Sequence, residues 1–286
     1  MSAAQLVHDI GYGLEFKGWY DRLFPKDDSA ARTAGHLAAL HPAPAAGTVE
    51  FGVGTGRIAL PLAGLVGPVT GVDSSPEMLD GLRAALAGRT DVEPVHGDIR
   101  TYRADRTAGL VYCVCGTLSM LLSPEEQQLA VRRAADLLAP GGRLVVETHN
   151  RPAIHALHEG RSHATYFTPY PERGTGLQTH STLLPENDLW HCSHIWYEAD
   201  GSTRVGTELS RLTTPDEVDA YARAAGLVPE SRLAGWDGEP YAERSPMFVC
   251  TYVKAGTGSG PDGGDVVAEG GSGPGGGAPS GGGEAS

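Results

Sequence analysis

The sequence predicts an α/β fold: a parallel sheet covered by helices on both faces, with a small antiparallel β insertion. Three observations carry this. Short apolar runs alternate with capped amphipathic helices between Val49 and Thr148. A glycine-dense turn over Gly52 to Gly56 joins the first strand to the helix that follows it. After His149 the texture changes to alternating polar and apolar runs. Strands that alternate with helices imply right-handed crossovers and a parallel sheet.

Residues 1–46 read as helical, include "GWYDRLFP", and end at the break "HPAPAAG". Val49–Gly52 is strand one and Arg57–Leu65 its helix, with strand two at Pro68–Asp73. "SPEMLDGLRAAL" is a helix with Ser75 as N-cap and Pro76 at the first helical position. Val92–Val95 is strand three, and the apolar run Leu110–Cys115 is strand four. "SPEEQQLAVRRAADLLAPGG" is a helix in which Ser123 and Glu126 form a capping box. Its buried face is expected to hold Leu129, Ala130, Ala134, Leu137 and Leu138. Pro140-Gly141-Gly142 stops it, and "RLVVET" is strand five.

Residues 151–212 read as an antiparallel insertion, with Asp200-Gly201 as a hairpin turn. "TPDEVDAYARAAGL" is a boxed helix with Thr214 as cap and Glu217 at N3, and "MFVCTYVK" is a final strand. The expected units are a helical lid at 1–46, a core at 47–150, the insertion at 151–212, the rest of the core at 213–254, and a tail at 255–286. Gly, Ser, Pro and acid dominate the tail, which cannot bury enough apolar area to offset its ordering entropy.

The 286 residues carry a net charge of −13. That balance argues against a general nucleic-acid or anionic-membrane binder, which needs a positive field. Cys113, Cys115, Cys192 and Cys250 form no C-x-x-C pattern, so buried thiols in a reducing cytoplasm are expected and no metal site is assigned. The amino-terminal residues lack an apolar signal core. The apolar stretch Ile58 to Val72 is broken by Pro61, Gly64, Gly67 and Pro68, too short to span a bilayer.

Glycines after a first strand let a ligand approach the backbone at the start of a helix. Gly54-Thr55-Gly56-Arg57-Ile58-Ala59 fits the dinucleotide fingerprint literally, and Asp73 follows at the spacing of a ribose-binding acid. The glycines alone therefore do not choose between nucleotides. Glu50, inside the strand before them, suits a ligand bearing an ammonium or sulfonium; a pyrophosphate would be repelled. In "HGDIR", Asp98 can accept from an exocyclic amine while Ile99 packs on an aromatic base.

These residues resemble a class I S-adenosylmethionine (SAM)-dependent methyltransferase. The resemblance runs closely from Val49 to Glu147, through "VEFGVGTGR", "GVDSSPEMLDGLR", "GDIR", "CGTLSMLLSPEEQ" and "LAPGGRLVVE" in the family's order. It implies a seven-stranded, Rossmann-like doubly wound sheet whose last strand is antiparallel. It implies that Glu50, Gly52, Gly54 and Gly56 surround the methionine part of SAM. Asp73 would hold the ribose with Met78 nearby, Asp98 and Ile99 would take the adenine, and Cys115 and Gly116 would line the methyl donor.

Methyl transfer is an in-line displacement from a good leaving group, so positioning and water exclusion dominate. His149, just after strand five, is the candidate base. Tyr20 resembles the aromatic of a Tyr-Asp segment in amino-sugar N-methyltransferases with such a lid; Met120 stands where those enzymes carry a histidine. His155 and His158 could share a helix face, whereas His191 and His194 point to opposite sides of a strand. The 151–212 insertion, with Trp190, Trp196 and Tyr197, is the expected acceptor wall. Neither the Asn-Pro-Pro-Tyr/Phe motif of base-amino methyltransferases nor a Pro-Cys nucleophile follows strand four. The reading is a cytoplasmic, homodimeric enzyme that methylates an O or N atom of a small molecule, a secondary metabolite. An NAD(P)-linked oxidoreductase and a non-catalytic SAM-fold binding protein are the alternatives.

Overall fold

The computed structural model describes residues 7–256. Apart from its first two residues, the tail read as disordered lies outside them.

Two short helices, α1 (Tyr12–Glu15) and α2 (Tyr20–Leu23), precede the longer α3 (Asp28–Leu40), whose N-cap Asp27 accepts from the Ser29 N–H. The alternating region follows as β1 (Thr48–Phe51), α4 (Ala59–Val66), β2 (Val69–Asp73), α5 (Pro76–Leu86), β3 (Val92–His96), β4 (Ala108–Cys113), α6 (Pro124–Leu137) and β5 (Leu138–His149). Next come α7 (Arg151–Leu157) and four strands, β6 (His163–Pro169), β7 (Gly176–Leu184), β8 (Leu189–Tyr197) and β9 (Thr203–Arg211). The chain closes with α8 (Pro215–Ala224), β10 (Leu227–Leu233) and β11 (Met247–Lys254).

Seven strands form one sheet in the order β10-β11-β5-β4-β1-β2-β3, with β11 antiparallel to both neighbours. The order reverses between β1 and β4, where an open α/β sheet places its ligand crevice. Alternating strand residues face opposite layers. Val111 and Cys113 pack with Ala130, Ala134, Val218 and Ala222 of α6 and α8. Leu110, Tyr112 and Val114 pack with Leu37, Leu62 and Leu82 of α3, α4 and α5. Each fully buried leucine contributes about 2–3 kcal/mol of transfer free energy.

The other four strands form the antiparallel sheet β6-β7-β8-β9. A buried polar knot joins it to the core. Arg211 donates to Gln127 Oε1 at 2.9 Å and to Glu217 Oε1 at 2.6 Å, while Gln127 Nε2 donates to the carbonyls of Leu118 and Leu121.

Several local expectations are corrected. β4 ends at Cys113, and Cys115 lies in a turn with φ 56°, its side chain exposed rather than buried. Ser123 caps α6, but the Glu126 carboxylate turns away to Arg100, so only half of that capping box forms. The Thr214 box forms fully. Leu129 is 50% exposed because the buried face of α6 runs through Gln127, Ala130, Val131 and Ala134. β10 has no counterpart in the sequence reading. It is an edge strand whose exposed residues are Val228, Pro229 and Glu230, and Pro229 sits at its register shift, a place where proline is tolerated.

Candidate cofactor and acceptor site

A cavity of about 860 Å³ opens at the carboxyl ends of β1 and β4, between the core, the first two helices and the inner face of the second sheet. Its lining includes Tyr20, Glu50, Gly52, Gly54, Asp73, Met78, Asp98, Ile99, Cys115, Gly116 and His149. Of the aromatics expected in the acceptor wall, Trp190 lines the cavity, whereas Trp196 packs against Phe16 and Trp19 and Tyr197 donates to Gln178. Of the residues assigned to the cofactor, Gly56 stands behind this lining. A Cβ there would come within 2.5 Å of Leu82 Cδ1, so it serves the packing of the turn on α5.

Glu50 and Tyr112 are cross-strand partners on β1 and β4, and the Tyr112 hydroxyl donates to Glu50 Oε2 at 2.8 Å. Burial pushes the Glu50 carboxyl well above its ordinary value. No cation forms an ion pair with it among the described residues, so it is a buried acid that a positive ligand would ionise. Asp73 ends β2 and holds two turns together: Oδ2 accepts from the Gly54 N–H at 2.8 Å, and Oδ1 from the Ser75 N–H at 2.9 Å. The turn needs its glycines, because Gly54 has φ 54° and space above it, the nearest atom to a Cβ there being the Tyr20 hydroxyl at 4.0 Å.

Asp98 follows β3 and is clasped by Arg100, with Nη2 to Oδ2 at 2.6 Å. Burial raises its pKa, but the hydrogen bonds from Arg100 outweigh this and hold the carboxyl below its ordinary range. Ile99 and Met78 are buried apolar walls. An acid, an open glycine turn, a diol-sized carboxylate and an apolar slot occur in sequence along one cleft, and this set fits SAM.

The far half of the cavity is aromatic. His149 ends β5, its ring 5.0 Å from that of Trp190 in an edge-on pair, and a Cβ on Gly116 would stand 3.5 Å from its Nδ1. That Nδ1 is buried with no hydrogen-bond partner. Burial lowers the His149 pKa, so the ring is neutral at pH 7. Burial raises the pKa of Tyr20, which keeps its proton. Tyr12 packs edge-on against Tyr20 at 6.1 Å, and its hydroxyl lies against Glu208. On β8 the even positions Trp190, Cys192 and His194 face the cavity, together with Glu208 of β9. His191 points the other way, as the strand period requires. His155 is exposed and His158 is buried on Ser181 at 2.7 Å, so those two share no site.

Sequence reasoning missed Tyr12, Arg57, Glu147, Glu208 and Trp236, all of which line the cavity. Glu147 accepts from the Cys115 N–H at 2.8 Å and from Trp236 Nε1 at 2.6 Å, which fixes the left-handed turn after β4. Its only sequence signal was a carboxylate inside an otherwise apolar strand, the same signal that marked Glu50.

Residues 49–142 match the family described as a methyltransferase domain. The chain carries a class I SAM-dependent methyltransferase domain. SAM is the cofactor of this fold. A curated relative, the dTDP-3-amino-3,6-dideoxy-α-D-glucopyranose N,N-dimethyltransferase of Streptomyces fradiae, is 34% identical over 152 residues, covering 51% of this chain and 58% of the relative. The matched stretch therefore spans little more than half the length of that methyltransferase. The CcbJ methyltransferase of Streptomyces caelestis is 29% identical, with a TM-score of 0.78 over 87% of this chain and 100% of that one. The amino pentose methyltransferase CalS10 of Micromonospora echinaspora has the same fold at 24% identity, with a TM-score of 0.61 over 87% of this chain and 99% of that one. The domain match and the acid in β1 leave the dinucleotide reading of the glycine turn without support. Among the described residues, no helix is long and apolar enough to cross a membrane.

Proposed function

We propose that this chain methylates a nitrogen of a small molecule of the amino-sugar or glycosylated-metabolite type, using SAM. The observation that carries the reading is the unpartnered Nδ1 of His149, which shares one cavity with Glu50 and Asp73. When bound, SAM supplies an electrophilic methyl group on a sulfonium. Glu50 would balance its positive charge, Asp73 would hold its ribose hydroxyls, and Asp98 with Ile99 would take its adenine. Cys115 and Gly116 would border the methyl group.

The rest is the work of this chain's own side chains. His149, neutral at pH 7, accepts the proton that an amine must lose on methylation. Tyr20 remains a phenol, and its hydroxyl stands over the glycine turn as a donor available to a ligand there. Residues 7–27 close over the cleft as a lid, and the inner face of β6–β9 forms the acceptor wall. The Streptomyces fradiae relative is an N,N-dimethyltransferase, which supports nitrogen over oxygen as the methylated atom. The acidic balance and the concave cavity favour a small acceptor over nucleic acid, and the free cysteines suit a reducing cytoplasmic setting.

The test is incubation of the protein with methyl-labelled SAM and a panel of amino sugars and their hydroxyl counterparts, read by mass spectrometry. Label on amino sugars alone supports the reading. Label on the hydroxyl compounds alone would move the acceptor atom to oxygen. SAM binding without turnover on any acceptor would favour the binding-protein alternative.

A further inference from the structure

The acceptor half of the cavity contains three groups that the methyl-transfer reading does not use. Cys192 and Glu208 are directly opposed on β8 and β9, and His194 lies two residues along β8 on the same face. Their Sγ, imidazole nitrogen and carboxylate oxygen all lie within 4.8 Å of one another. His194 Nε2 is 3.4 Å from Glu208 Oε1.

We propose that Cys192, His194 and Glu208 bind a divalent transition-metal ion of the zinc class, with a fourth coordination position open to the cavity. Thiolate, imidazole and carboxylate are the ligand types zinc takes, and three protein ligands with one open position is its arrangement in catalytic sites. The ligands stand on two paired strands, so the site exists before the ion arrives. The orientation of His194 supports the assignment. Its Nδ1 is 3.0 Å from Thr179 Oγ1 on the neighbouring β7, and with Nδ1–H donating there, the Nε2 lone pair faces the other ligands.

The charge balance points the same way. Glu208 has no lysine or arginine partner among the described residues; its one ion-pair neighbour is His194. A carboxylate and a thiolate together offset the two charges of the ion. Binding must displace the Cys192 proton, which an ion at the sulfur does directly. The alternating even positions that make β8 an acceptor wall thus also make it a chelate, something spacing along β8 alone cannot show because the third ligand comes from β9.

The test uses the full chain after dialysis against a chelator, titrated with Co²⁺ and followed by absorption spectroscopy. One equivalent should produce visible d–d bands and a thiolate-to-cobalt charge-transfer band. Cys192→Ser should abolish the charge-transfer band, and Cys250→Ser, a buried thiol on β11 outside the cavity, should keep it. Thr179→Val, which releases the His194 orientation without removing a ligand, should weaken Co²⁺ binding by about 10- to 100-fold. Far-ultraviolet circular dichroism and SAM titration of each variant show whether it is folded. No charge-transfer band in the wild-type protein, or a band that survives in folded Cys192→Ser, would overturn the proposal. SAM binding is measured separately, so loss of the metal site leaves the methyltransferase reading standing.

Discussion

The backbone N–H of Gly54 donates to Asp73 Oδ2 at 2.8 Å, so the carboxylate at the end of β2 holds the glycine turn after β1 in place. On the proposed reading the same residue also holds the ribose of SAM. Asp73→Ala removes a charged hydrogen-bond acceptor from a buried setting, a loss of about 1.5–3 kcal/mol, or roughly 10- to 100-fold in SAM affinity. Titration calorimetry measures it directly, and an unchanged affinity would remove the ribose assignment.

Glu50 gives a proton-linked signature. Burial holds its carboxyl above the ordinary range, and a cationic ligand favours the ionised form. Its pKa must fall on SAM binding, so a proton leaves and SAM affinity rises with pH through the titration of the free protein. Calorimetry in two buffers of different ionisation enthalpy reads the number released. Proton release should vanish in Glu50→Gln; uptake in the wild-type protein would contradict the electrostatic pairing.

If His149 is the base proposed above, it sets the pH profile of turnover. Burial lowers its pKa, so the neutral base persists through neutral pH and is lost only in acid. The predicted kcat is flat at and above neutrality and falls as the imidazole protonates. His149→Ala should cut kcat by about 10²- to 10⁴-fold, flatten the acid limb and leave SAM affinity near normal. A variant with wild-type kcat would make this histidine a structural residue.

Arg211 tests the join between the two sheets. It is 4% exposed and carries hydrogen bonds to Gln127 and Glu217. Removing one partner of a buried ionic network costs about 3–5 kcal/mol. In a domain of this size that lowers Tm by roughly 6–20 °C, readable by differential scanning calorimetry. A shift under 2 °C would mean that the knot is dispensable.

The core was legible because its signals are local. The Ser75 and Thr214 caps, the glycine turn, and the acids of β1 and β2 each declare themselves within a few residues, and the structure places them as read. Glu208 and Tyr12 were not legible. Each is an ordinary residue in its own segment and becomes part of the site only when β9 and α1 fold over the cleft. Leu129 and Glu126 failed differently. Periodicity gives a face but not its exact edge, and a cap signature does not know that Arg100 competes for the glutamate. The seventh strand, β10, escaped because an edge strand need not be apolar or free of proline.

The first two helices touch both halves of the cavity. Gly13 lies so close to Ser75 that any larger side chain would meet its hydroxyl, and Trp19 is wedged edge-on against Trp196, with Arg22 spanning to Glu198. If the proposed lid and cofactor site hold, a flap fastened at two ends opens before spent nucleoside leaves, whatever the speed of the chemistry beneath it. Turnover should therefore slow in glycerol-thickened solvent, and Trp19→Ala should make it indifferent to viscosity while letting more water in. Viscosity-dependent turnover that Trp19→Ala abolishes would make the amino-terminal segment the clock of the catalytic cycle.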